Sequence, residues 1–536
     1  MSLLFRYRKN GTLLTTGESN ADVEWTVTEN PGGKTVRLRA RTGIEPIRMT
    51  DEGVALVNGH DRFLLNGYQS WTDTREFTLA ETERNVYRLP RALVNRFSFD
   101  RYGDATFYPY TDQKLHGYDV FYSRGENEVF FCNVNSAVAY LIFEVDRPTG
   151  RVDAVSDLQG LVMNPGEEIT ALAYRKAPDR RSGLALFCEL YLKREIGKLF
   201  GYTSWYNYYQ NISEAQILRD LDALDDRFDL FQIDDGYETF VGDWQEVDPV
   251  KFPNGLEPIV CKIRKKGLKA GIWLAPFVAE EKSRVFREHP DWFRKEPDGS
   301  PVKCGSNWSG FYALDLSNPT VREYIAGCLR FFLEMGFDFF KLDFLYAANL
   351  PAYPGKTRCM AANEAYAFLR EVLGDRLILG CGATPFNCAG IFDYLRVGPD
   401  VSLKFDDVWF MRLMHRERIS TKVTLQNTAY RCFFDGHLFG NDPDVFILRR
   451  DNVSLSPRQK EALLTVNSLF GSVLMTSDNL AQYGEEQSAE LNAALDRFRN
   501  AVVTDVRGEK DRIRFTYRLA GAEHTLIYHT RKGVLE

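Results

Sequence analysis

The chain has 536 residues, of which 44% are hydrophobic and 13% aromatic, so it has enough apolar material for a large core and for two to four domains. Its 67 Lys and Arg residues against 74 Asp and Glu residues give a net charge of -7, which argues against nucleic acids and acidic polymers as partners. No apolar run reaches the roughly 18 residues of a membrane span, and the N-terminus lacks a signal-peptide core, so we expect a cytoplasmic protein without a membrane partner.

Residues 1–195 alternate between apolar and polar side chains, as in TVRLRAR and GYDVFYSR. Turn sequences such as NPGG and RPTG interrupt this alternation, and little of it has a helical period. This pattern predicts an N-terminal antiparallel β-sandwich domain. The pattern changes near residues 193–198, where we place the domain boundary.

In residues 196–484, short apolar strands alternate with amphipathic helices, which favours a parallel sheet. Helix starts are indicated by Ser213 with Gln216 and by Asn318 followed by Pro319. Eight strands predict a closed (β/α)8 TIM barrel. The predicted strands are 201–209, 230–236, 269–277, 337–345, 376–382, 394–400, 437–446 and 472–479. Residues 485–536 predict a helix followed by a small antiparallel β-domain, which makes the chain a multidomain α/β and β protein.

Polar residues close several of the predicted barrel strands. Because the active sites of such barrels lie at the C-terminal ends of the strands, these residues are candidates for chemistry. They are Trp205, Asp234, Asp235, Trp273, Lys341, Asp343, Cys381, Arg396, Asp400 and Asp478.

The segment FFKLDFL, 339–345, places two charges inside a strand that its apolar residues predict to be buried. Alternation puts Lys341 and Asp343 on one face, where each is expected to be the other's neighbour in a polar pocket. A plain buried ion pair is the alternative, although such pairs stabilise poorly.

The other acidic candidates have simpler structural explanations as well. Asp234 and Asp235 are adjacent and diverge, and their mutual repulsion suggests that substrate hydroxyls or Lys341 satisfy them. D-D-G is also a common turn sequence. Asp400 follows Gly398 and Pro399, so a surface-turn aspartate is the alternative there. Trp71, Trp205 and Trp273 predict flat walls for the C–H faces of a sugar ring, with ordinary core packing as the alternative.

Two aspartates on opposite sides of a bound sugar could cleave a glycosidic bond with retention and without a metal. Lys341 would keep the nucleophile ionised, and the acid would need a drier or more negative environment that raises its pKa. We expect no cofactor and no metal site, because nucleotide-binding, zinc and serine-esterase motifs are missing and the nine cysteines are scattered. A Schiff-base aldolase using Lys341 and a non-catalytic sugar-binding barrel stay open as alternatives.

The motifs SWYNYY, FQIDDGYE, GIWLAPFVAE, FFKLDFLY, LGCG, LRVGPD and NDPDVFILR, with NGYQSW before them, resemble the α-galactosidases of glycoside hydrolase family thirty-six. The resemblance implies a β-sandwich, a catalytic barrel and a small C-terminal β-domain. It also implies that Asp343 is the nucleophile and Asp400 the acid/base. Substrate-binding roles are implied for Asp234, Asp235, Lys341, Arg396, Trp205, Trp273, Cys381, Gly382 and Trp71.

The resemblance implies a retaining α-galactosidase acting on small oligosaccharides such as melibiose or raffinose. The chain departs from the family beside the acid/base, where VSLKFDD follows G-P-D, and after the Cys-Gly pair, where TPFNCAG follows. These departures leave an α-N-acetylgalactosaminidase and a galactosyl transferase open. Asp406 and Asp407 are the alternatives to Asp400 as acid/base, and their position past the strand end disfavours them. No oligomeric state is predicted.

Overall fold

The computed structural model describes residues 2–191, 195–350, 353–406 and 408–536. The predicted boundary near residues 193–198 therefore lies partly outside the described residues, and so does Asp407. None of the helices in the described ranges combines the length and the apolarity that crossing a membrane requires.

Two antiparallel sheets form the N-terminal part, as the alternating pattern predicts. In sheet order, one contains Thr12–Thr16, Leu3–Lys9, Glu45–Leu56, Arg151–Asp157, Leu141–Asp146 and Lys114–Tyr118. The other contains Val23–Asn30, Gly33–Ala40, Glu168–Ala177, Val129–Asn133, Val120–Arg124, Arg62–Leu65 and Arg75–Phe77. Met49 and Phe143 of the first sheet and Leu38 and Phe121 of the second belong to one buried apolar cluster, so the sheets share a core.

A nine-stranded parallel sheet follows, which confirms the predicted parallel architecture of the central part. Its strands, in sheet order, are Gly440–Asp442, Tyr394–Arg396, Leu377–Gly380, Phe339–Leu342, Lys269–Leu274, Leu230–Ile233, Leu199–Thr203, Val473–Thr476 and Val445–Phe446. The first and last of these are consecutive in the chain. Because one pairs with Tyr394–Arg396 and the other with Val473–Thr476, segment 440–446 joins the two edges of the sheet.

Seven of the eight predicted parallel strands end earlier than the sequence predicts, and the segment predicted over 437–446 forms two strands. Two of the early ends change the position of site residues. The strand predicted over 201–209 ends at Thr203, and Trp205 lies on the short helix Trp205–Tyr208 instead. The strand predicted over 337–345 ends at Leu342, and Phe344 takes a left-handed backbone with φ of 53°. Asp343 therefore lies in the turn that follows the strand.

Helices connect most of these strands and begin where the capping residues predict. The side chains of Ser213 and Asn318 accept hydrogen bonds from the amides of Gln216 and Thr320, which caps the helices that follow. Within the described residues, the α-helices are Arg91–Phe97, Arg180–Leu190, Trp205–Tyr208, Glu214–Ala223, Glu257–Lys265, Arg284–Glu288, Pro319–Met335, Arg358–Leu373, Pro385–Cys388, Trp409–Met414, Thr421–Tyr430, Pro457–Phe470 and Glu485–Asn500. Short 3-10 helices are Val86–Arg88, Pro290–Trp292, Leu345–Asn349, Cys432–Phe434 and Leu480–Gln482.

Two smaller antiparallel sheets complete the fold. The first, Val278–Glu280, Phe311–Ala313 and Lys303–Gly305, lies within the chain segment that separates two parallel strands. The second, Val502–Glu509, Arg512–Leu519, Ala522–His529 and Val534–Leu535, follows the last helix. The helix and antiparallel strands predicted for residues 485–536 are therefore present, and the strand Val502–Glu509 is an element that the pattern does not predict.

Candidate active site

Asp343 lies immediately after the strand Phe339–Leu342, in the middle of the parallel sheet. Its Oδ2 accepts a hydrogen bond of 3.0 Å from the indole nitrogen of Trp273, at the end of the neighbouring strand. Its Oδ1 accepts one of 2.8 Å from the amide of Phe344. These two donors fix the orientation of the carboxyl group.

Lys341 pairs directly with Asp234, as the repulsion between the two adjacent aspartates suggested, and Asp343 is a neighbouring charge on which Lys341 also acts. Its Nζ donates to Asp234 Oδ2 at 2.8 Å, and both side chains are buried. Burial opposes the charge of Lys341, but the Asp234 carboxylate outweighs burial and holds the pKa of Lys341 above its ordinary value. Alternation along a single strand places Lys341 and Asp343 on one face but does not show which carboxylate Lys341 contacts, because Asp234 follows another strand.

Asp234 and Asp235 diverge as the sequence predicts. Asp234 also accepts hydrogen bonds from Thr203 at 3.1 Å and Gln232 at 2.5 Å. Asp235 turns to the other side, where it accepts from the indole nitrogen of Trp308 at 3.0 Å and from Gln210 at 3.1 Å.

A second acidic residue, Glu238, lies against Asp235. Burial and the negative charge of Asp235 raise the pKa of Glu238 well above its ordinary value, and burial also raises the pKa of Asp235. Ionisation of both buried carboxyl groups at once is therefore unfavourable.

Arg396 is the centre of a carboxylate cluster at the end of the strand Tyr394–Arg396. Its guanidinium lies 3.0 Å from Asp400, 2.8 Å from Asp442 and 3.0 Å from Asp444. Burial raises the pKa of Asp444 to about 7, and Arg396 opposes this rise. The hydroxyl of Tyr206 donates to Asp444 at 2.5 Å. Arg396 thus orients Asp400 while it balances two deeper acids.

Cys381 and Gly382 follow the strand Leu377–Gly380. Burial raises the pKa of the Cys381 thiol well above its ordinary value, so the thiol is neutral. Gly382 has φ of +61°, and a β-carbon there would lie 3.1 Å from the ring of Trp71. Both its backbone and the lack of space require glycine at this position.

Trp71 reaches this site from the N-terminal part of the chain. Its ring packs edge-on against Phe344 at 5.3 Å and Tyr346 at 5.7 Å. Its indole nitrogen is buried and has no hydrogen-bond partner within the described part of the chain. That nitrogen is a donor that a bound molecule could use.

The remaining two tryptophans differ in position. Trp273 is buried, packs against Trp244 at 5.7 Å and Trp308 at 6.1 Å, and contacts Asp343 directly. Trp205 is partly buried on its short helix and packs against Tyr209 at 5.1 Å. Its neighbour Tyr206 is the residue that contacts Arg396 and Asp444.

Asp343 and Asp400 line one cavity of 270 Å³. Among the described residues, its lining includes Trp71 from the predicted site but none of the other predicted binding residues, which lie around and beneath the two aspartates. The rest of the lining comes mainly from residues 97–102, 306–307 and 411–419. The cavity thus opens outward from the two acids.

The two aspartates have different environments. Burial raises the pKa of Asp343 to about 6, with Lys341 opposing the rise and the negative charge of Asp400 adding to it. Asp400 is 32% exposed and ion-paired with Arg396. The dry and negative surroundings expected for the acid are therefore those of Asp343, the expected nucleophile.

Several residues around the cavity were not predicted from the sequence. Trp308, Tyr102, His415 and Glu417 lie in loops or short segments, where no periodicity marks them. Asp442 and Asp444 could have been recognised from the sequence, because N-D-P-D interrupts an apolar strand. Asp478, which the sequence places at a strand end, accepts from Arg449 at 2.8 Å and from the amide of Leu448, a structural arrangement.

The residues that the structure describes contain no group of three or more His, Cys, Asp or Glu side chains arranged to hold a metal ion. The acidic groups of the site are instead held by Lys341, Arg396 and the two indole nitrogens.

Comparisons with known proteins agree with the motifs. Residues 202–374 match the family model described as Melibiase. A segment of 137 residues is 34% identical to α-galactosidase 1 of Pediococcus pentosaceus, covering 23% of this chain and 18% of that protein. A segment of 124 residues is 31% identical to a galactosaminidase of Flavonifractor plautii described as acting on A type blood α-D-galactosamine, covering 22% of this chain and 11% of that protein. The chain thus spans less than a fifth of the length of the curated relatives it matches first.

A solved structure extends the similarity along the whole chain. The α-galactosidase TtGalA from Thermus thermophilus, in complex with p-nitrophenyl α-D-galactopyranoside, is 28% identical, with a TM-score of 0.73 over 97% of this chain and 98% of that chain. The resemblance to the α-galactosidases that the motifs indicate is therefore confirmed. Enzymes of that name are glycoside hydrolases.

Proposed function

We propose that the protein is a retaining α-galactosidase that removes terminal α-linked galactose from small oligosaccharides such as melibiose or raffinose. The observation that supports this best is that Asp343 and Asp400, 57 positions apart in the sequence, line one cavity at the ends of parallel strands. The similarity to a solved α-galactosidase along the whole chain supports the choice of sugar and bond.

In this proposal Asp343 attacks the anomeric carbon while Asp400 protonates the leaving oxygen. The resulting glycosyl ester of Asp343 is then hydrolysed by water that Asp400 deprotonates. Loss of the Asp343 charge in the first step removes a negative charge near Asp400, which eases the ionisation that the second step needs.

The proposal assigns the buried polar groups to the galactose ring. Asp234, Asp235 and Lys341 would bind its hydroxyls on one side, and Arg396 would lie near its C2 substituent. Trp71, Trp205, Trp273, Cys381 and Gly382 would line the ring. Because the buried acids are already ordered by hydrogen bonds, galactose would meet a preformed site.

The domain organisation of the chain is part of this proposal. We propose that the joined parallel sheet is a closed (β/α)8 barrel over residues 196–484. The two N-terminal sheets would form a β-sandwich domain over residues 1–195, and residues 485–536 would form the C-terminal domain.

Azide rescue tests the two catalytic roles separately. With p-nitrophenyl α-galactoside, Asp343→Ala should lose turnover, and added azide should give β-galactosyl azide because azide then attacks the substrate itself. Asp400→Ala should give α-galactosyl azide, because azide attacks the glycosyl ester of Asp343. The exposed Asp222, which pairs with Lys262 at 2.7 Å, provides Asp222→Ala as a control with normal turnover.

Exchanged azide products would reverse the two roles, and full activity of either variant would refute its role. The carboxyl groups of Asp343 and Asp400 should lie about 5–5.5 Å apart in a crystal structure with galactose bound.

A glycosidase for a galactose with a nitrogen substituent at C2, such as an α-N-acetylgalactosaminidase, is the second candidate. The similarity to the Flavonifractor plautii galactosaminidase, whose name gives α-D-galactosamine, favours this class. Parallel assays with p-nitrophenyl α-galactoside and its N-acetyl-α-galactosaminide analogue separate the two. Faster cleavage of the galactoside supports the first proposal, and faster cleavage of the N-acetyl substrate supports the second.

A further inference from the structure

The outer half of the catalytic cavity is built by two segments that lie outside the parallel sheet. We define it by the lining residues from these segments, which are Phe97, Phe99, Tyr102, Met411, His415, Glu417, Arg418 and Ile419. Asp343 and Asp400 form the inner end of the same cavity. A group leaving from the anomeric carbon between the two acids would therefore enter the outer half.

His415 brings an unused hydrogen-bonding atom to this half. The residue is 3% exposed, and its Nδ1 has no hydrogen-bond partner among the described residues. The imidazole packs against Phe99 with ring centres 5.0 Å apart and against Tyr102 at 6.0 Å, so its orientation is fixed. A buried polar atom without a partner is costly unless a ligand or water satisfies it.

Glu417 lies beside this imidazole, and its two carboxyl oxygens have different surroundings. Its Oε1 accepts a hydrogen bond of 2.8 Å from Thr72, whereas its Oε2 lies 3.6 Å from His415 Nδ1. That separation is too long for a hydrogen bond. A hydroxyl group near both atoms could donate to the carboxyl oxygen while it accepts from, or donates to, the imidazole.

The charge of His415 decides which kind of group fits. Burial, aided by the charges of Arg418 and Arg84, lowers the pKa of His415 to about 3, so the imidazole is neutral at neutral pH. Glu417 cannot attract an anion either. Arg418 also lines this half, but its side chain is fully buried and pairs with Asp406, so its charge is already compensated. A neutral hydroxyl is therefore a better match than a carboxylate or a phosphate.

The other lining groups favour a ring with an apolar face. Phe97, Phe99, Met411 and Ile419 provide carbon surface suited to the C–H face of a sugar. Nearby hydroxyls are already used, since Ser306 donates to the carbonyl of Phe97 and Tyr102 donates to Asn307 at 2.6 Å. His415 and Glu417 thus offer polar atoms to a ligand in this half, whereas the charge of the Arg418 guanidinium is already paired with Asp406.

We propose that His415 and Glu417 form the polar side of the leaving-group subsite and select a neutral, hydroxyl-bearing leaving group such as a second sugar ring. His415 is then a specificity-determining residue and takes no part in proton transfer. The inference rests on the proposed glycosidase function.

The test compares kcat/KM for melibiose, whose leaving group is a sugar, with kcat/KM for p-nitrophenyl α-galactoside, whose leaving group carries no hydroxyl for this site. His415→Phe keeps the ring packing and removes both nitrogens. We expect it to lower kcat/KM for melibiose about 10- to 100-fold, as loss of hydrogen bonds to a buried group implies. The fold-decrease in kcat/KM for the aryl substrate should be at least five times smaller than the fold-decrease for melibiose.

Two further variants and one control complete the design. His415→Gln, which keeps a hydrogen-bonding side chain, should recover part of the melibiose activity, and Glu417→Gln should reduce melibiose cleavage selectively. His289, whose ring stacks on Trp292 at 3.9 Å and does not line the cavity, gives His289→Phe as the control with both values unchanged.

An equal fall for both substrates in folded His415→Phe and His415→Gln, or no fall for either, would overturn the inference while leaving the glycosidase proposal intact. A wild-type protein that cleaves neither substrate would overturn both. If His415→Phe does not fold, selective loss of melibiose cleavage in His415→Gln and Glu417→Gln supports the inference, and a loss shared by both substrates contradicts it.

Discussion

At the scale of single residues, the site contains acids whose environments differ more than their positions suggest. Asp343 is buried beside Lys341 and Asp400, and its pKa is raised to about 6. Asp400 is partly exposed and held by Arg396. The free enzyme therefore keeps its expected nucleophile partly protonated below pH 6, which has consequences for both stability and rate.

Replacing Asp343 by Asn should abolish activity and stabilise the protein. The raised pKa means that the folded protein binds a proton more tightly than the unfolded chain, so the stabilising contribution of Asp343 is complete below about pH 4 and is lost as the pH rises through about 6. We expect the free energy of unfolding of Asp343→Asn to be higher than that of the wild type by about 2 kcal/mol above pH 6, and nearly equal to it at pH 4. Melting temperatures from pH 4 to 8 measure this.

The pH dependence of the reaction rate should report the ionisation of Asp343 as well. Because attack needs the ionised carboxylate, kcat/KM of the wild type should rise with pH along a limb whose apparent pKa is about 6. A stability difference that is constant over this pH range, together with a rate that is flat between pH 5 and 7, would show that burial does not raise the pKa of Asp343.

Arg396 is the residue whose loss should damage the site most broadly. Arg396→Met would leave Asp400, Asp442 and Asp444 without their shared cation. We expect a loss of stability of about 3–5 kcal/mol, as for other buried charges that lose their partner. Adding Asp444→Asn should restore part of the melting temperature, and a double variant no more stable than Arg396→Met would contradict the cluster.

At the scale of elements, a buried charge cluster ties the loop that carries His415 and Glu417 to the N-terminal part. His116, on the strand Lys114–Tyr118, lies 2.7 Å from both Glu83 and Asp104. Arg416 lies 3.6 Å from Glu83 and donates to the carbonyl of Asp73. The two carboxylates overcome the effect of burial and raise the pKa of His116 to about 9, so the imidazole is charged at neutral pH.

His116→Leu should therefore destabilise the protein in a pH-dependent way. The charged imidazole contributes fully below about pH 6.5, and its contribution is lost as the pH rises through about 9. We expect a loss of about 3–5 kcal/mol at pH 6 that shrinks towards pH 9.5. His524, which is exposed and stacks on Tyr517, gives His524→Leu as the control, and an equal effect of the two substitutions would contradict the cluster.

Element types were largely predictable from the sequence, and the ends of elements were not. Alternation and apolar runs predicted the antiparallel sheets and the eight parallel strand segments, because both periods are local properties. The repulsion between Asp234 and Asp235 did suggest Lys341 as a partner. In contrast, the strands predicted over 201–209 and 337–345 end early, and Trp205 lies on a helix. Such errors arise because strand ends depend on packing that no single segment encodes.

At the scale of the whole molecule, the site depends on the N-terminal part of the chain. Trp71, Phe97, Phe99 and Tyr102 line the catalytic cavity although they lie far from the parallel sheet in sequence. The sequence suggested this only for Trp71, through the NGYQSW motif. The loop around Trp71 is held by Arg431, which donates to Asn66 and to the carbonyls of Gly67, Gln69 and Ser70.

Arg431→Met should weaken catalysis by releasing the Trp71 loop. Since buried carbonyls would lose their donors, we expect kcat/KM to fall at least about tenfold and the melting temperature to drop. Protease cleavage within residues 66–74 should become faster. Arg450, a 74% exposed residue paired with Glu486, gives Arg450→Met as a control without effect, and an Arg431 variant with normal kcat/KM would exclude this role.

The central claim is that Asp343 attacks the sugar across a cavity that it shares with Asp400. The most direct measurement is to trap the glycosyl enzyme with a fluorinated α-galactosyl fluoride, whose glycosyl ester hydrolyses slowly, and to map the modified residue by peptide mass spectrometry. We predict a single galactosyl label on Asp343. A label on Asp400 or on any other residue, or turnover with no trapped ester, would contradict the claim.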